Sequence, residues 1–68
     1  LSMATGTAEV VKISEEDQEI SLRGPFGGVH NLDVRNGING DPFQDLTLGD
    51  FVDFRMIQHI AIAIRRLP

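Results

Sequence analysis

Apolar residues in this chain recur with a period of two over short segments, the pattern of half-buried β-strands. The first segment, residues 7–14, is rich in β-branched residues and predicts strand one. Its alternation changes phase midway. Ala8 and Val10 fall on one face, and Val11 and Ile13 fall on the other. A bulge or a strong bend produces such a change, so we expect this strand to be shared between two sheets.

Four more segments carry the same pattern. The predicted strands two to five are residues 19–23, 29–34, 51–57 and 60–65. The acidic tip at residues 15–18 joins strands one and two as a hairpin, and a Gly/Pro loop at residues 24–28 leads into strand three. We place the turn between strands four and five near Gln58 and His59. Because no Gly or Pro marks that turn, one long bent strand is the alternative.

The period of two also assigns side chains to faces. Two sets share a face within their strands: His30, Leu32 and Val34 in strand three, and Val52, Phe54 and Met56 in strand four. In strand five, three Ile residues at positions 60, 62 and 64 oppose Ala61 and Ala63. This arrangement predicts a flat, uncharged edge that favours pairing with a second copy of the chain. The alternative is that strand five closes the barrel and belongs to the core.

The segment between strands three and four has the features of a helix start. Asp41 is a candidate N-cap, Pro follows at the first helical position, and Gln44 can return a hydrogen bond to the cap. Phe43 and Leu46 lie on the same side of a single turn, so we expect them to plug one end of a barrel. Gly49 is the predicted end of this helical segment.

The same segment is dense in oxygen-bearing side chains, which raises the question of a calcium loop. Its candidate ligands Asp33, Asn36, Asn39 and Asp41 are spaced three, three and two residues apart, and no Glu follows them within the segment. A helix-loop-helix calcium site needs alternate positions and a terminal Glu. The two Asn-Gly pairs instead supply the positive-φ positions of turns.

The order β-β-β-(α)-β-β predicts an all-β fold: a small five-stranded OB-like barrel with one short helical turn between strands three and four. We expect one domain over residues 6–67, preceded by a disordered leader or cloning remnant at residues 1–5. Barrel closure hides most sheet edges. That suits a chain of 68 residues, which buries only about 60% of its unfolded surface.

Composition and charge exclude several classes of function. The chain has 10 acidic and 6 basic residues and a net charge of -4, which disfavours a phosphate backbone as partner. It has no Cys for a disulfide, a thiolate zinc site or a redox pair. No apolar run approaches the ~20 residues that span a bilayer. Neither Ser14 nor Ser21 has an evident His to activate it, so we expect no enzymatic activity and no cofactor.

The stretches AEVVKIS, QEISLRGPFGGVHNLDV and FQDLTLGDFVDF resemble the small periplasmic OB-fold domains of the copper-efflux chaperone (CusF-like) family. In that family a V.ID...TVTL.GP.G hairpin leads to F..L.VGD.V.V. The resemblance covers roughly residues 6–57, and it implies a periplasmic or secreted setting.

The family binds Cu(I) or Ag(I) through one His, two Met and a neighbouring Trp on the second and third strands. This chain has no Trp, its two Met residues are Met3 and Met56, and only His30 lies in a comparable region. The resemblance therefore implies a relative without the family's metal site.

Two sets of side chains remain as candidate sites. His30, Met56 and His59 are the soft or borderline metal ligands, and two imidazoles with a thioether suit Cu(I). Their positions also fit a half-buried His, a core Met and a His at a turn. Arg23, Phe26, Phe51 and Arg55 form a candidate surface patch, for which stacking of single-stranded nucleic acid is one use.

These features together predict a non-enzymatic binding or accessory module, exported from the cell. Its partner is an unidentified protein or a second copy of the chain bound through the last strand. The alternative is a Cu(I)/Ag(I) chaperone with a rearranged site. A binder of single-stranded nucleic acid is third, because the net charge of -4 opposes it.

Overall fold

The computed structural model describes residues 3–35, 38 and 40–68. The elements in chain order are β1 (Met3–Ser14), β2 (Glu19–Arg23), β3 (Val29–Asp33), α1 (Pro42–Asp45), β4 (Phe51–Ile57) and β5 (Ile60–Arg66). The five strands form one sheet that closes into a ring in the order β1-β2-β3-β5-β4. The prediction of an all-β, five-stranded OB-like barrel with one helical turn between strands three and four is confirmed.

β1 is shared between the two halves of the ring. Residues 3–9 pair with β4, and residues 9–14 pair with β2. The register with β2 shifts between Val10 and Lys12, which leaves Val11 as the extra residue of a bulge. The phase change in the apolar pattern therefore marks a real bend, as predicted.

β1 also begins earlier than the predicted strand. Met3, Ala4 and Thr5 lie opposite Ile57, Met56 and Arg55 of β4, whereas the pattern predicted a disordered leader over residues 1–5. Residues 1 and 2 lie outside the described residues. This part of β1 is held by backbone pairing with β4, which needs no apolar alternation and so leaves little trace in the sequence.

The ring is joined between β3 and β5 by a single parallel pair, Asp33 with Ile60. There the Asp33 N–H donates to the His59 carbonyl at 2.6 Å. The turn between β4 and β5 lies at Gln58 and His59, with Gln58 at φ +58°. The predicted turn is confirmed, and the alternative of one long bent strand is wrong.

The predicted faces of the last strand are wrong. Ala61 is only 6% exposed, whereas Ile62 is 42% exposed. The register between β4 and β5 shifts after Arg55, which pairs with Ala63, while Met56 pairs with Ala61. Ile62 is thus an extra residue that reverses the alternation, and a period of two read from the sequence alone cannot show it.

The core lies inside the ring. Its buried apolar residues are Ala8, Val10, Ile20, Leu22, Leu32, Val34, Leu46, Val52, Phe54, Met56 and Ala61. The predicted inward faces of strands three and four are confirmed. Leu32 and Val34 are buried in strand three, and Val52, Phe54 and Met56 are buried in strand four. His30, at the start of its set, is half-buried.

The helical turn closes one end of the barrel. Asp41 caps it by accepting a hydrogen bond from the Phe43 N–H at 3.2 Å. Leu46 is buried in the core, and Phe43 packs against the core. The prediction that these two side chains fill one end of the barrel is confirmed. The helix ends at Asp45 rather than at Gly49, which lies in the following turn with φ +92°.

Across the described residues, no helix has the length and apolar content that crossing a bilayer requires.

The turns predicted at the two Asn-Gly pairs are described only in part. Asn36, Gly37 and Asn39 lie outside the described residues, and Gly40 has the expected positive φ of 77°. At the other predicted turn, the acidic tip, the Asp17 N–H donates to Ser14 Oγ at 3.2 Å. The Gln18 N–H donates to the Glu15 carbonyl at 3.2 Å, so this tip is a closed turn.

A matched pair of isoleucines tests the register shift in β5. Ile20 is fully buried, so Ile20→Ala should lower the free energy of unfolding by about 2–5 kcal/mol. Ile62→Ala should lower it by less than about 1 kcal/mol, because this side chain already contacts water. Urea denaturation measures both free energies of unfolding. If Ile20→Ala does not fold, Ile20→Val replaces it, with an expected loss of about 1 kcal/mol. Equal losses for the two alanine variants would contradict the outward position of Ile62.

Candidate functional site

One row of outward side chains crosses four strands at one end of the barrel. The register pairs Val29 with Arg23, Arg23 with Glu9, and Glu9 with Phe51. We call these four residues the end row. Since neighbouring strands lie about 4.8 Å apart, the end row is about 14 Å long. It has an apolar residue at each end and an ion pair in its centre.

Both ends of the end row extend into exposed apolar loop residues. Phe26 follows Arg23 in the loop between β2 and β3, and Leu48 precedes Phe51 in the turn before β4. The exposed fractions are 53% for Val29, 100% for Phe26, 59% for Phe51 and 66% for Leu48. Large apolar side chains are therefore left in water at two neighbouring places on a barrel with a small core.

The loop that carries Phe26 is closed by its own backbone. The Gly24 N–H donates to the Gly28 carbonyl at 2.8 Å, and the Gly27 N–H donates to the Gly24 carbonyl at 3.0 Å. Gly27 has φ +89°, which a residue with a side chain rarely adopts. These hydrogen bonds hold Phe26 at the tip of the β2–β3 hairpin.

The centre of the end row is an exposed ion pair. The Arg23 guanidinium lies 2.9 Å from a Glu9 carboxylate oxygen. Exposed pairs of this kind contribute about 0–1 kcal/mol, so both groups remain available to a partner. Arg55, the fourth residue of the predicted patch, lies elsewhere. It pairs with Thr5 and Ala63, and it is four residues along β4 from Phe51, or about 13 Å.

The three candidate metal ligands lie in different surroundings. His30 is half-buried on the inner face of β3, with its ring centroid 5.7 Å from that of Phe54 and tilted by 40°. Met56 is buried between Ala4 and Ala61, its partners on the adjacent strands. His59 is exposed on the turn after β4. Within the described ranges, no group of three or more His, Cys, Asp or Glu residues is placed to hold a metal ion. The soft-metal site stays a prediction.

A hydrogen bond on the outer face of β2 and β3 joins buried Ser21 to exposed Asn31. Ser21 is 2% exposed, and its hydroxyl donates to Asn31 Oδ1 at 2.6 Å. Beside it Lys12 donates to Glu19 at 3.0 Å, and this hydrogen bond raises the pKa of the Lys12 ammonium. The Ser21 hydroxyl thus has an amide rather than an imidazole as its partner, an arrangement that does not activate it for nucleophilic attack.

A second surface adjoins β5, whose edge was predicted to pair with a second copy of the chain, but its basic lining was not predicted. A cavity of about 910 Å³ lies along β1, β4, β5 and the helical turn, and Arg55, Arg65 and Arg66 line it. We call it the basic groove. The sequence holds one signal for it, because Arg65 and Arg66 are its only adjacent basic residues. Arg65 lies on the same face as Arg55 because of the β4–β5 register, in which Arg55 pairs with Ala63, two residues before Arg65. Arg66 is the next residue along β5 and points to the other face.

Comparison of the chain with protein-family models gives no match, and comparison with curated proteins gives none either. The roles of the end row and the basic groove therefore rest on geometry and charge.

Silver titration tests the candidate metal site. Of the three candidate ligands, we expect Ag(I) to shift only the NMR signals of the exposed His59, and weakly, because His30 packs on Phe54 and Met56 is buried. A His59→Gln variant is the control and should lose this response. Saturable shifts of His30, Met56 and His59 together at one equivalent of Ag(I) would contradict the expectation and establish the soft-metal chaperone instead.

Proposed function

We propose that this chain is a non-enzymatic binding module that recognises a protein partner through the end row and its flanking loops. One observation carries the proposal: Phe26, Val29, Leu48 and Phe51 are each more than half exposed at one end of the barrel. Large apolar side chains exposed at one end of a small barrel lower its solubility, and such clusters on soluble proteins mark interaction sites.

The two phenylalanines suit the role of anchors. A buried aromatic ring contributes more to an interface than a small side chain, and interfaces concentrate their affinity in a few such residues. Phe51 begins a strand paired on one side with β1 and on the other with the chain end, where the Leu67 N–H donates to its carbonyl at 2.8 Å. Because the backbone is already ordered, binding through this side chain loses little conformational entropy.

The ion pair at the centre sets the chemistry of the partner surface. Glu9 and Arg23 lie between the apolar ends, so a partner that covers the row desolvates both charges. Such a partner needs two apolar contacts separated by hydrogen-bonding groups that face the carboxylate and the guanidinium. This pattern describes a folded protein surface better than a purely apolar ligand.

Charge favours a protein over a nucleic acid at this end of the barrel. Glu9 lies beside the Arg23 guanidinium and places a carboxylate in the path of a phosphate backbone. The net charge of -4 adds long-range repulsion. We propose a periplasmic or secreted setting for the module, and the resemblance to small periplasmic OB-fold domains supports it.

Site-specific photo-crosslinking in the host cell tests the proposal. A benzoylphenylalanine introduced at position 26 or at position 51 should join the chain to the same protein. The same group at Gln58, on the exposed turn after β4, is the control and should not. Crosslinks of equal yield from position 58 would contradict the proposed surface.

The captured protein, once purified, allows a quantitative test. Phe51→Ser should weaken its binding at least about tenfold, because an aromatic anchor contributes more than about 1.4 kcal/mol. Gln58→Ser should leave the affinity unchanged. Urea denaturation of both variants separates lost contact from lost folding. Wild-type affinity in a folded Phe51→Ser variant would overturn the proposal.

A further inference from the structure

The basic groove is separate from the end row and has a different character. Arg55, Arg65 and Arg66 are three of the 6 Lys and Arg residues in a chain of net charge -4. Two acidic residues, Asp45 and Asp53, also line it. The groove thus gathers half of the positive charge of an acidic protein along one strand pair, and this distribution favours an anionic ligand there.

Two of the three guanidinium groups are only weakly held. Arg55 forms no ion pair with any described residue. Arg65 lies 3.4 Å from an Asp53 carboxylate oxygen, and both side chains are exposed. Arg66, by contrast, donates to the Asp45 carbonyl at 3.1 Å and lies 3.9 Å from an Asp50 carboxylate oxygen. Since exposed ion pairs contribute about 0–1 kcal/mol, a ligand carboxylate can replace Asp53 at little cost.

The groove also has apolar walls. Phe54 and Leu46, both buried in the core, line it together with Pro42 and Ile64. Phe54 is the one aromatic residue of this lining, and it is buried. A groove with basic residues and an apolar wall but no exposed aromatic lacks the stacking platform that single-stranded nucleic acid needs.

β5 offers backbone hydrogen bonds on the side away from β4. The Leu67 N–H donates to the Phe51 carbonyl at 2.8 Å. Hydrogen-bonded pairs alternate along an antiparallel ladder, so the amides of Arg65 and Ala63 also face β4. The N–H groups of Ile64 and Arg66 then point the other way. β3 reaches β5 only at Ile60, and the described residues include no other strand beside this edge.

We propose that the basic groove binds an acidic segment of another protein in extended conformation, which adds as a strand to the open edge of β5. The amides of Ile64 and Arg66 donate to the backbone of the segment. Arg55 and Arg65 bind carboxylates on one face of it, and alternate apolar side chains contact the groove wall. This site is independent of the end row, because none of the residues that it uses belongs to that row.

A second copy of this chain does not supply such a segment readily. Its one run of adjacent acidic residues, at positions 15–17, lies in a closed turn, in which the Gln18 N–H donates to the Glu15 carbonyl at 3.2 Å. To lie along β5 as a strand, this hairpin tip would have to open and lose its pairing. The chemistry of the groove therefore points to a different protein.

The first test uses a synthetic octapeptide of alternating Glu and Val, with its Gln-Val counterpart as the control. We expect amide shifts at residues 63–66 and at Arg55, and slowed hydrogen exchange at Ile64 and Arg66, with the Glu peptide only. Binding should weaken at least about tenfold between low salt and 0.5 M NaCl, because it depends on exposed charges. Equal binding of the Gln-Val peptide would overturn the acidic specificity.

Charge-matched variants locate the site. Arg55→Gln and Arg65→Gln should each weaken binding of the Glu-Val peptide about fivefold or more, which is the scale of one exposed charge-assisted contact. Arg35→Gln removes the same charge from an exposed residue outside the groove and should change binding less than twofold. Equal weakening by all three variants would show that the peptide is attracted by the overall positive charge and not bound at the groove, and it would overturn the proposal.

Two further measurements address other occupants of the groove. Oligothymidylate that binds more tightly than the Glu-Val peptide, with the same dependence on Arg55, would overturn the peptide proposal in favour of nucleic acid. A dimer in sedimentation velocity that Arg65→Gln disrupts would overturn it in favour of a second copy. A monomer that binds the Glu-Val peptide and not oligothymidylate is the expected result.

Discussion

The structure depends on one strand that pairs with two partners. β1 pairs with β4 over residues 3–9 and with β2 over residues 9–14, and the bulge at Val11 provides the bend between the two halves. Without this bend the two ladders would lie in one flat sheet, and the inward rows of β2, β3 and β4 would not meet. The closed core of a 68-residue chain follows from that single irregularity.

The same geometry leaves two surfaces unused by folding. Closure through β1 brings Glu9 beside both Arg23 and Phe51, so the end row lies across the point where β1 passes from one partner to the other. On the opposite side of the ring, β3 and β5 meet at a single residue pair, and most of the β5 edge has no strand partner among the described residues. Because one bent strand closes the core of this small barrel, an apolar end and a basic edge stay available for binding.

Much of the fold could be predicted from the sequence because local chemistry and global structure agree. The phase change after Val10, the Asp41 cap and the inward row of β4 all appear as residue patterns. The extra residue Ile62 and the pairing of Met3 and Ala4 with β4 leave no such residue pattern, because backbone hydrogen bonds decide both. The candidate sites divide in the same way. Phe26 and Phe51 stand out as exposed aromatics, whereas the approach of Arg55 to Arg65 needs the strand register.

β3 reaches β5 at one residue pair, and the rest of that edge of β5 has no strand partner among the described residues. Amide hydrogen exchange of the free protein, measured residue by residue by NMR, tests it most directly. The amides of Ala63 and Arg65, which face β4, should exchange slowly, and those of Ile64 and Arg66 should exchange near the rate of unstructured peptide. Equal protection of all four amides would show that this edge of β5 is covered in the free protein and cannot accept an added strand.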